Sequence, residues 1–361
     1  MPPRFLFLPV SGSTGGGEYT RCLTLAEAIP AAWPEAEIEF VLNRQAGYAK
    51  NCPYRTHLIG TSPTYATEDV NRILNERRPQ VAIFDNSGRA AQWKAARQLG
   101  VRTVFISSRA STRCKGFGLR RLPWLDQHWI VAPPLIRPKL SALERLKLRM
   151  IHRPENLFID WIFVPPEPAR SSDLFHRLGV GPGNFLVASA GSGGKAAGPD
   201  LPIAVFARAA ARIAVRTGLR AIVVCGDNSQ RPEGLGRDVL FLDTVSRHEM
   251  VDLLSEARLL VTNGGSVFIE GVAFGRVCVA VSLATDQKTR VRAFSNARLA
   301  VEAPLSDECI ARLAMDTIEH AETFDGISER LSRRPIVNGL DTALGCLHRL
   351  VHASGPSLRY T

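Results

Sequence analysis

The sequence predicts an α/β chain built from two successive parallel-sheet domains. Three observations carry this reading. At 361 residues the chain exceeds what one hydrophobic core usually serves. Short β-rich runs alternate with helical stretches, the pattern of parallel sheets covered by helices on both faces. The alternation is interrupted once, by Pro165, Pro166 and Pro168, and then resumes.

Taken in order, residues 5–10, 38–42, 81–85, 101–107 and 128–131 read as strands of the first half. Between the first two, Tyr19, Cys22, Leu23 and Ala26 repeat at helical spacing over residues 19–29, and Pro30 is expected to end that helix. The proline cluster sets an expected linker over 164–183, so the first domain spans 1–165 and the second 183–335. In the second half, 185–190, 219–225, 239–242, 259–262 and 277–283 read as strands, and 201–216, 247–257 and 266–275 as helices. A last helix over 339–352, within a tail of residues 336–361, has no evident place in the second sheet.

With 45% hydrophobic and 22% charged residues, the composition is that of a soluble globular protein. Residues 1–10 form an apolar run too brief for a signal peptide or a membrane span, which predicts a cytoplasmic protein. Seven widely spaced cysteines without a C-x-x-C pair read as buried free thiols, not as a disulfide framework or a zinc site. The net charge of +11 is concentrated between residues 109 and 153, where eleven Lys/Arg face only Asp126 and Glu144. Such a stretch can meet a phosphorylated or lipid-linked acceptor, or lie peripherally on the anionic inner face of a membrane; the plainer alternative is the solvated surface of a basic protein. Nucleic acid is not expected, because no nucleic-acid motif accompanies the charge and aromatics do not recur along it. Leu119-Arg-Arg-Leu-Pro-Trp-Leu125 mixes apolar and cationic residues, and either rests on a bilayer or gives Trp124 and its leucines to the core.

Three glycine loops carry the candidate chemistry. The first, Ser11-Gly-Ser13-Thr14-Gly15-Gly16-Gly17, follows a strand and opens a helix, where free N–H groups and a positive dipole end face a ligand. Its spacing departs from the dinucleotide G-x-G-x-x-G pattern, so a nicotinamide cofactor is not indicated. The second, Thr262-Asn-Gly-Gly-Ser-Val-Phe-Ile-Glu270, brings a helix N-terminus against an anion: Gly264, Gly265, Ser266 and Val267 can hold a diphosphate, and Glu270, one turn on, can accept from both hydroxyls of a ribose. The third contains Gly191, Ser192, Gly193 and Lys195 and faces the same edge. Residues 282–287 are read as ending a strand at that edge, where Asp286 and Gln287 can hold sugar hydroxyls. Asp286 as a helix cap is the plainer alternative. His128, His152 and His248 are further titratable candidates.

Together these segments resemble the GT-B nucleotide-sugar enzymes of the MurG-like group and, within them, the PseG-type UDP-sugar hydrolases. Gly17-Glu-Tyr-Thr-Arg-Cys-Leu-Thr-Leu-Ala26 is similar to that family's G-H-x-x-R-C-L-x-L-A segment, Gly265-Ser-Val-Phe-Ile-Glu270 to its G-S-T-x-W-E motif, and Val337-Asn-Gly-Leu340 to its terminal D-G motif, with Asn338 in place of the acid. The resemblance implies two Rossmann-like domains facing across a cleft, with the terminal helix crossing back onto the first. It also implies an NDP-sugar donor, most simply a UDP-sugar, with Met250 near the base. No cofactor is expected, and no metal, because helix dipoles and backbone N–H groups can stabilise a departing diphosphate and no Asp-x-Asp motif is present. Where the family carries its histidine this chain has Glu18, which can serve as a general base. The Asp286-Gln287 pair resembles the donor-sugar readers of GT-B glycosyltransferases. The expectation is therefore inverting transfer to an acceptor hydroxyl; alternatives are hydrolysis of the donor and a catalytically idle binding subunit.

Overall fold

The computed structural model describes residues 2–12, 15–191, 201–226, 232 and 234–352. Its described residues fall into two compact units, one drawn from Met1–Ala132, Arg137–Phe163 and Asn338–Thr361, the other from Pro133–Ile136 and Val164–Val337.

The first unit runs β1 (Arg4–Pro9), α1 (Gly17–Ala32), β2 (Glu37–Asn43), β3 (Arg55–Ile59), α2 (Thr67–Arg77), β4 (Val81–Asp85), α3 (Ala90–Gln98), β5 (Arg102–Ser107), α4 (Ala110–Gly116), β6 (Gln127–Val131), α5 (Ala142–Ile151) and β7 (Glu155–Ile159). Its seven strands are parallel in the order β3-β2-β1-β4-β5-β6-β7. Every residue of β4 and β6 is buried, as expected of inner strands covered on both faces. Leu6, Leu8, Phe84, Trp93 and Phe105 pack into one apolar cluster beneath α2 and α3. The strand order reverses between β1 and β4, so the loops leaving these two strands diverge and open a crevice at their carboxyl ends.

The second unit runs α6 (Pro168–Leu178), β8 (Phe185–Ser189), α7 (Pro202–Thr217), β9 (Arg220–Val224), β10 (Val239–Leu242), α8 (Arg247–Glu256), β11 (Leu259–Asn263), α9 (Ser266–Ala273), β12 (Val277–Val281), α10 (Thr285–Asn296), β13 (Val301–Ala303), α11 (Asp307–Glu319) and α12 (Ala321–Ser332). Its six parallel strands follow the same plan, β10-β9-β8-β11-β12-β13, with the reversal between β8 and β11. Gly271 lets α9 lie close on the sheet, since a Cβ there would meet Leu260 Cδ1 at 2.2 Å.

The last helix, α13 (Leu340–His352), belongs to the first unit and packs on α1, as expected. Its entry explains Asn338 and Gly339. Asn338 Nδ2 donates to the Phe163 carbonyl at 2.8 Å and its Oδ1 accepts from Leu340 N at 3.1 Å, while a Cβ on Gly339 would strike the Asp160 carbonyl at 2.4 Å.

Several expectations need correction. Pro30 lies inside α1, which continues to Ala32: near the C-terminal end the proline removes one hydrogen bond, and Trp33 N closes the last turn on Ile29 O at 2.9 Å. The span 164–183 is not a bare linker, because Pro168 takes the first-turn position of α6, where its missing N–H and fixed φ suit a helix. Residues 282–287 do not end a strand, since β12 stops at Val281 and α10 opens at Thr285. The cysteines are not uniformly buried: Cys22, Cys225, Cys278 and Cys346 are, Cys52 and Cys309 are half-buried, and Cys114 is exposed. No helix among the described residues is long and apolar enough to cross a membrane.

Candidate functional site

Each unit concentrates polar groups at the carboxyl ends of its central strands, and the two clusters differ in kind.

In the first unit, the glycine loop after β1 turns through Gly15, whose φ of +80° lies in the left-handed region that glycine alone adopts without cost. Gly16 then caps α1 and Gly17 begins it, which sets Glu18 in the first helical turn beside the loop after β4. Glu18 is 6% exposed. Its Oε1 accepts from Arg109 Nη2 at 2.5 Å and from Asn86 Nδ2 at 2.9 Å, and both hydrogen bonds found on this carboxylate end on that oxygen. Asn86, with φ +51°, ties the neighbouring strands together: its Nδ2 also donates to Ser108 Oγ, and its Oδ1 accepts from Ser108 N at 3.1 Å and from Thr112 Oγ1 at 2.7 Å.

Beneath Glu18, Arg21 forms a buried two-pronged pair with Asp85, Nε and Nη2 lying 2.8 and 2.6 Å from the two carboxylate oxygens. Burial pushes the Asp85 carboxyl up, to about 6, against the opposing pull of Arg21. The Cys22 thiol donates to the same carboxylate at 3.7 Å, and the Arg21 guanidinium lies 5.7 Å from the Trp161 ring centroid. The pair pins α1 to β4 and so fixes the direction in which Glu18 points. Ser11 is structural: its Oγ accepts from Asn43 N at 2.9 Å. Ser13 and Thr14 lie outside the described residues.

In the second unit, the reversal point between β8 and β11 is closed by Asn263. Its Nδ2 donates to Ala190 O at 2.6 Å and its Oδ1 accepts from Gly265 N at 3.0 Å, joining the two glycine loops. Only glycine fits around it. Cβ atoms on Gly191 and Gly265 would come within 3.0 and 2.8 Å of the Asn263 amide, and one on Gly264 would meet Val291 Cγ2 at 2.5 Å. Gly265 caps α9, so the first-turn N–H groups of Ser266 and Val267 have no acceptor within the helix. Arg290 Nη1 donates to the Gly264 carbonyl, adding a guanidinium beside this turn. Glu270 is half-buried one turn further along α9, and Met250 is half-buried in α8, which packs on α9. Ser192, Gly193 and Lys195 lie outside the described residues.

The pair read as sugar-binding divides. Both residues lie in the first turn of α10, but the Gln287 amide oxygen accepts from Leu283 N at 2.9 Å and holds its own loop. Asp286 is 52% exposed, with Arg290 Nη2 at 3.9 Å; Ala284, not Asp286, is the cap of this helix.

Of the remaining candidates, His128 sits in the core and the other two lie at helix ends. His128 is buried between Phe105 and Phe117, its Nε2 2.8 Å from Ser107 Oγ, and burial together with Arg113 lowers it to about 3. His152 closes α5 in a left-handed conformation, and His248 lies in the first turn of α8. Of the segment 119–125, Leu122 and Leu125 are buried and Trp124 packs against the core, whereas Leu119 is 56% exposed. The basic stretch is partly neutralised: Arg109, Arg113, Arg137 and Arg153 pair with Glu18, Glu144, Asp160 and Asp126.

Sequence reasoning missed Arg109, Asn86 and the Arg21–Asp85 pair as site groups. A signal existed in Asp85-Asn-Ser-Gly88, a turn-forming run directly after an apolar strand. The pairing of Arg109 with Glu18, 91 residues away, has no local signature.

No family model and no curated protein matches the chain. Solved structures do. CalG4, the calicheamicin glycosyltransferase, aligns with a TM-score of 0.63 at 14% identity over 97% of this chain and 98% of its own. The spinosyn forosaminyltransferase SpnP gives 0.61 at 14% over 96% and 99%. A putative UDP-N-acetylglucosamine 2-epimerase from Listeria monocytogenes gives 0.60 at 11% over 97% and 96%. At such identities the likeness carries the architecture and not the reaction: the chain has the GT-B fold, two Rossmann-like domains with the terminal helix returned to the first.

Proposed function

We propose that the protein is an inverting glycosyltransferase that moves a sugar from an NDP-sugar, most simply a UDP-sugar, to an acceptor hydroxyl without a required metal. The observation that carries this reading is Glu18: a buried carboxylate in the first turn of a helix, one oxygen held by Arg109 and Asn86 and the other, which accepts no hydrogen bond among the described residues, available for a substrate proton.

In this reading the first unit activates the acceptor and the second binds the donor. Glu18 Oε2 takes the proton of the acceptor hydroxyl. The acceptor oxygen attacks the anomeric carbon, and the bond from that carbon to the diphosphate breaks with its electron pair on the leaving oxygen, inverting the centre. The N–H groups of Ser266 and Val267, with the α9 dipole, take up the diphosphate charge and make a divalent ion unnecessary. Glu270 receives the ribose, Met250 lies on the base side and Asp286 reads the sugar. Gln287 acts by shaping the turn, since its amide oxygen is engaged by Leu283.

Incubation with a panel of UDP-sugars and no acceptor separates transfer from its nearest rival. Intact donor, with slow background loss, supports transfer. Rapid stoichiometric release of free sugar makes the protein a hydrolase with Glu18 activating water. UDP binding with no turnover under any acceptor makes it an idle subunit.

Peripheral contact with an anionic bilayer is part of the proposal. Leu143, Leu146 and Met150 are 59%, 53% and 70% exposed along one stripe of α5, and Arg145 and Arg149 lie on the same helix. Co-sedimentation with vesicles that L143S/L146S/M150S leaves unchanged removes this part.

A further inference from the structure

The loops that hold Glu18 also gather cations. Arg89 caps α3 after β4 and Arg109 caps α4 after the adjacent β5, and Asn86 and Thr112 hydrogen-bond these two loops together. Lys115, near the end of α4, and Arg121 meet at the turn through Gly118: Gly118 N donates to Lys115 O at 3.3 Å, Arg121 N donates to Gly118 O at 2.7 Å, and the Arg121 side chain folds over the glycine. Lys115 and Arg121 are half-buried, and among the described residues no carboxylate pairs with Arg89, Lys115 or Arg121. Burial, and then the repulsion of Arg121, Arg89 and Arg109, holds the Lys115 ammonium below the ordinary lysine value. Among the described residues, Glu18, on Arg109, is the sole acid in contact with the group. Arg89 and Arg109 are exposed and Lys115 and Arg121 half-buried, and four like charges gathered around a single counterion are unfavourable until an anion joins them.

We propose that Arg89, Arg109, Lys115 and Arg121 form an anion site for a phosphate or diphosphate carried by the acceptor, which the Arg109–Glu18 contact sets beside the reacting hydroxyl. The inference rests on the reading of Glu18 as the acceptor's base and names the acceptor's class: a phosphorylated hydroxyl compound, whether free in solution or carried on a lipid. Arg109 links the two tasks, with one N–H on Glu18 and its side chain 48% exposed. Tyr65, 68% exposed with its ring centroid 5.3 Å from the Arg89 guanidinium, flanks the site.

The test is calorimetric titration of the full chain with inorganic pyrophosphate, and separately with UDP. The cluster variant is R89Q/K115Q/R121Q, and the control is R72Q/R292Q/R333Q, which removes three exposed cations elsewhere. The expected result is pyrophosphate binding weakened at least about tenfold in the cluster variant, little change in the control, and UDP affinity unaltered in both. Equal weakening in the two variants, or none in the cluster variant, overturns the site. So does loss of binding to anionic vesicles in the cluster variant with pyrophosphate affinity intact, since the charges would then serve the bilayer surface. If the wild type binds pyrophosphate through the cluster but does not bind UDP, the anion site stands and the glycosyltransferase reading fails.

Discussion

Replacing Arg21 by methionine should unfold the first unit far more easily while leaving the second untouched. Asp85 is fully buried and Arg21 5% exposed, so the variant strands a carboxylate that has lost both prongs of its guanidinium partner. Breaking a buried pair from one side costs about 3–5 kcal/mol. With an m-value of about 2–3 kcal/mol per molar urea, the midpoint should fall by about 1.5 M. Fluorescence isolates the effect, because all five tryptophans (33, 93, 124, 129 and 161) belong to the first unit. The double variant R21M/D85L removes both charges and should recover most of the loss, since an apolar pair of similar volume is often no worse than the ions. A single-variant shift below about 0.5 M, or a double variant no better than the single, would refute the view that this pair anchors α1 beneath Glu18.

Three further outcomes follow from the same geometry. His128 refuses a proton until about pH 3 in the fold but takes one near 6.5 when unfolded, so its contribution is complete above 6.5 and is lost as pH falls toward 3. Wild type should lose about 3 kcal/mol between pH 7.5 and 4.5 from this group; in His128→Gln the tryptophan-monitored pH profile should flatten by that amount, whereas parallel profiles would contradict it. Once an acceptor is found, Glu18→Gln should lower kcat by about 10²–10⁴ with little change in donor KM, and turnover within a few-fold of the parent would remove Glu18 as the base. Gly265→Ala should weaken UDP by tenfold or more, because its Cβ would come within 2.8 Å of Asn263 Oδ1 and disturb the amide that joins the two glycine loops; unchanged affinity would move the nucleotide elsewhere.

The parts of the fold that could be read from the sequence are those set by local pattern. Inner strands such as Val81–Asp85 and Val277–Val281 are continuous apolar runs because both faces are covered, and they stand out at any register. The strands that escaped notice lie at sheet edges: Arg55–Ile59 and Glu155–Ile159 open on polar residues and leave only a two- or three-residue apolar end, and Val301–Ala303 is too short to show a period. Helices α10 to α12 present amphipathic, charge-rich faces that an eye looking for hydrophobic runs passes over. The glycine loops were legible because a glycine pair between a strand and a helix is a local pattern, and Gly265 answers Asn263 two residues away. Partners supplied by tertiary structure were not. Arg109 reaches Glu18 across 91 residues, and the Gln287 amide turns back on Leu283, a choice between ligand and loop that residue identity does not reveal.

In the proposed function the nucleotide-sugar donor binds on the glycine-lined turn of the second unit. Calorimetric titration of wild type and Gly265→Ala with UDP tests it most directly. One UDP should bind per wild-type chain, with at least tenfold weaker binding in the variant and an unchanged tryptophan unfolding transition in both. Absence of any UDP binding to the wild-type chain, or equal affinity in the two proteins, would contradict it.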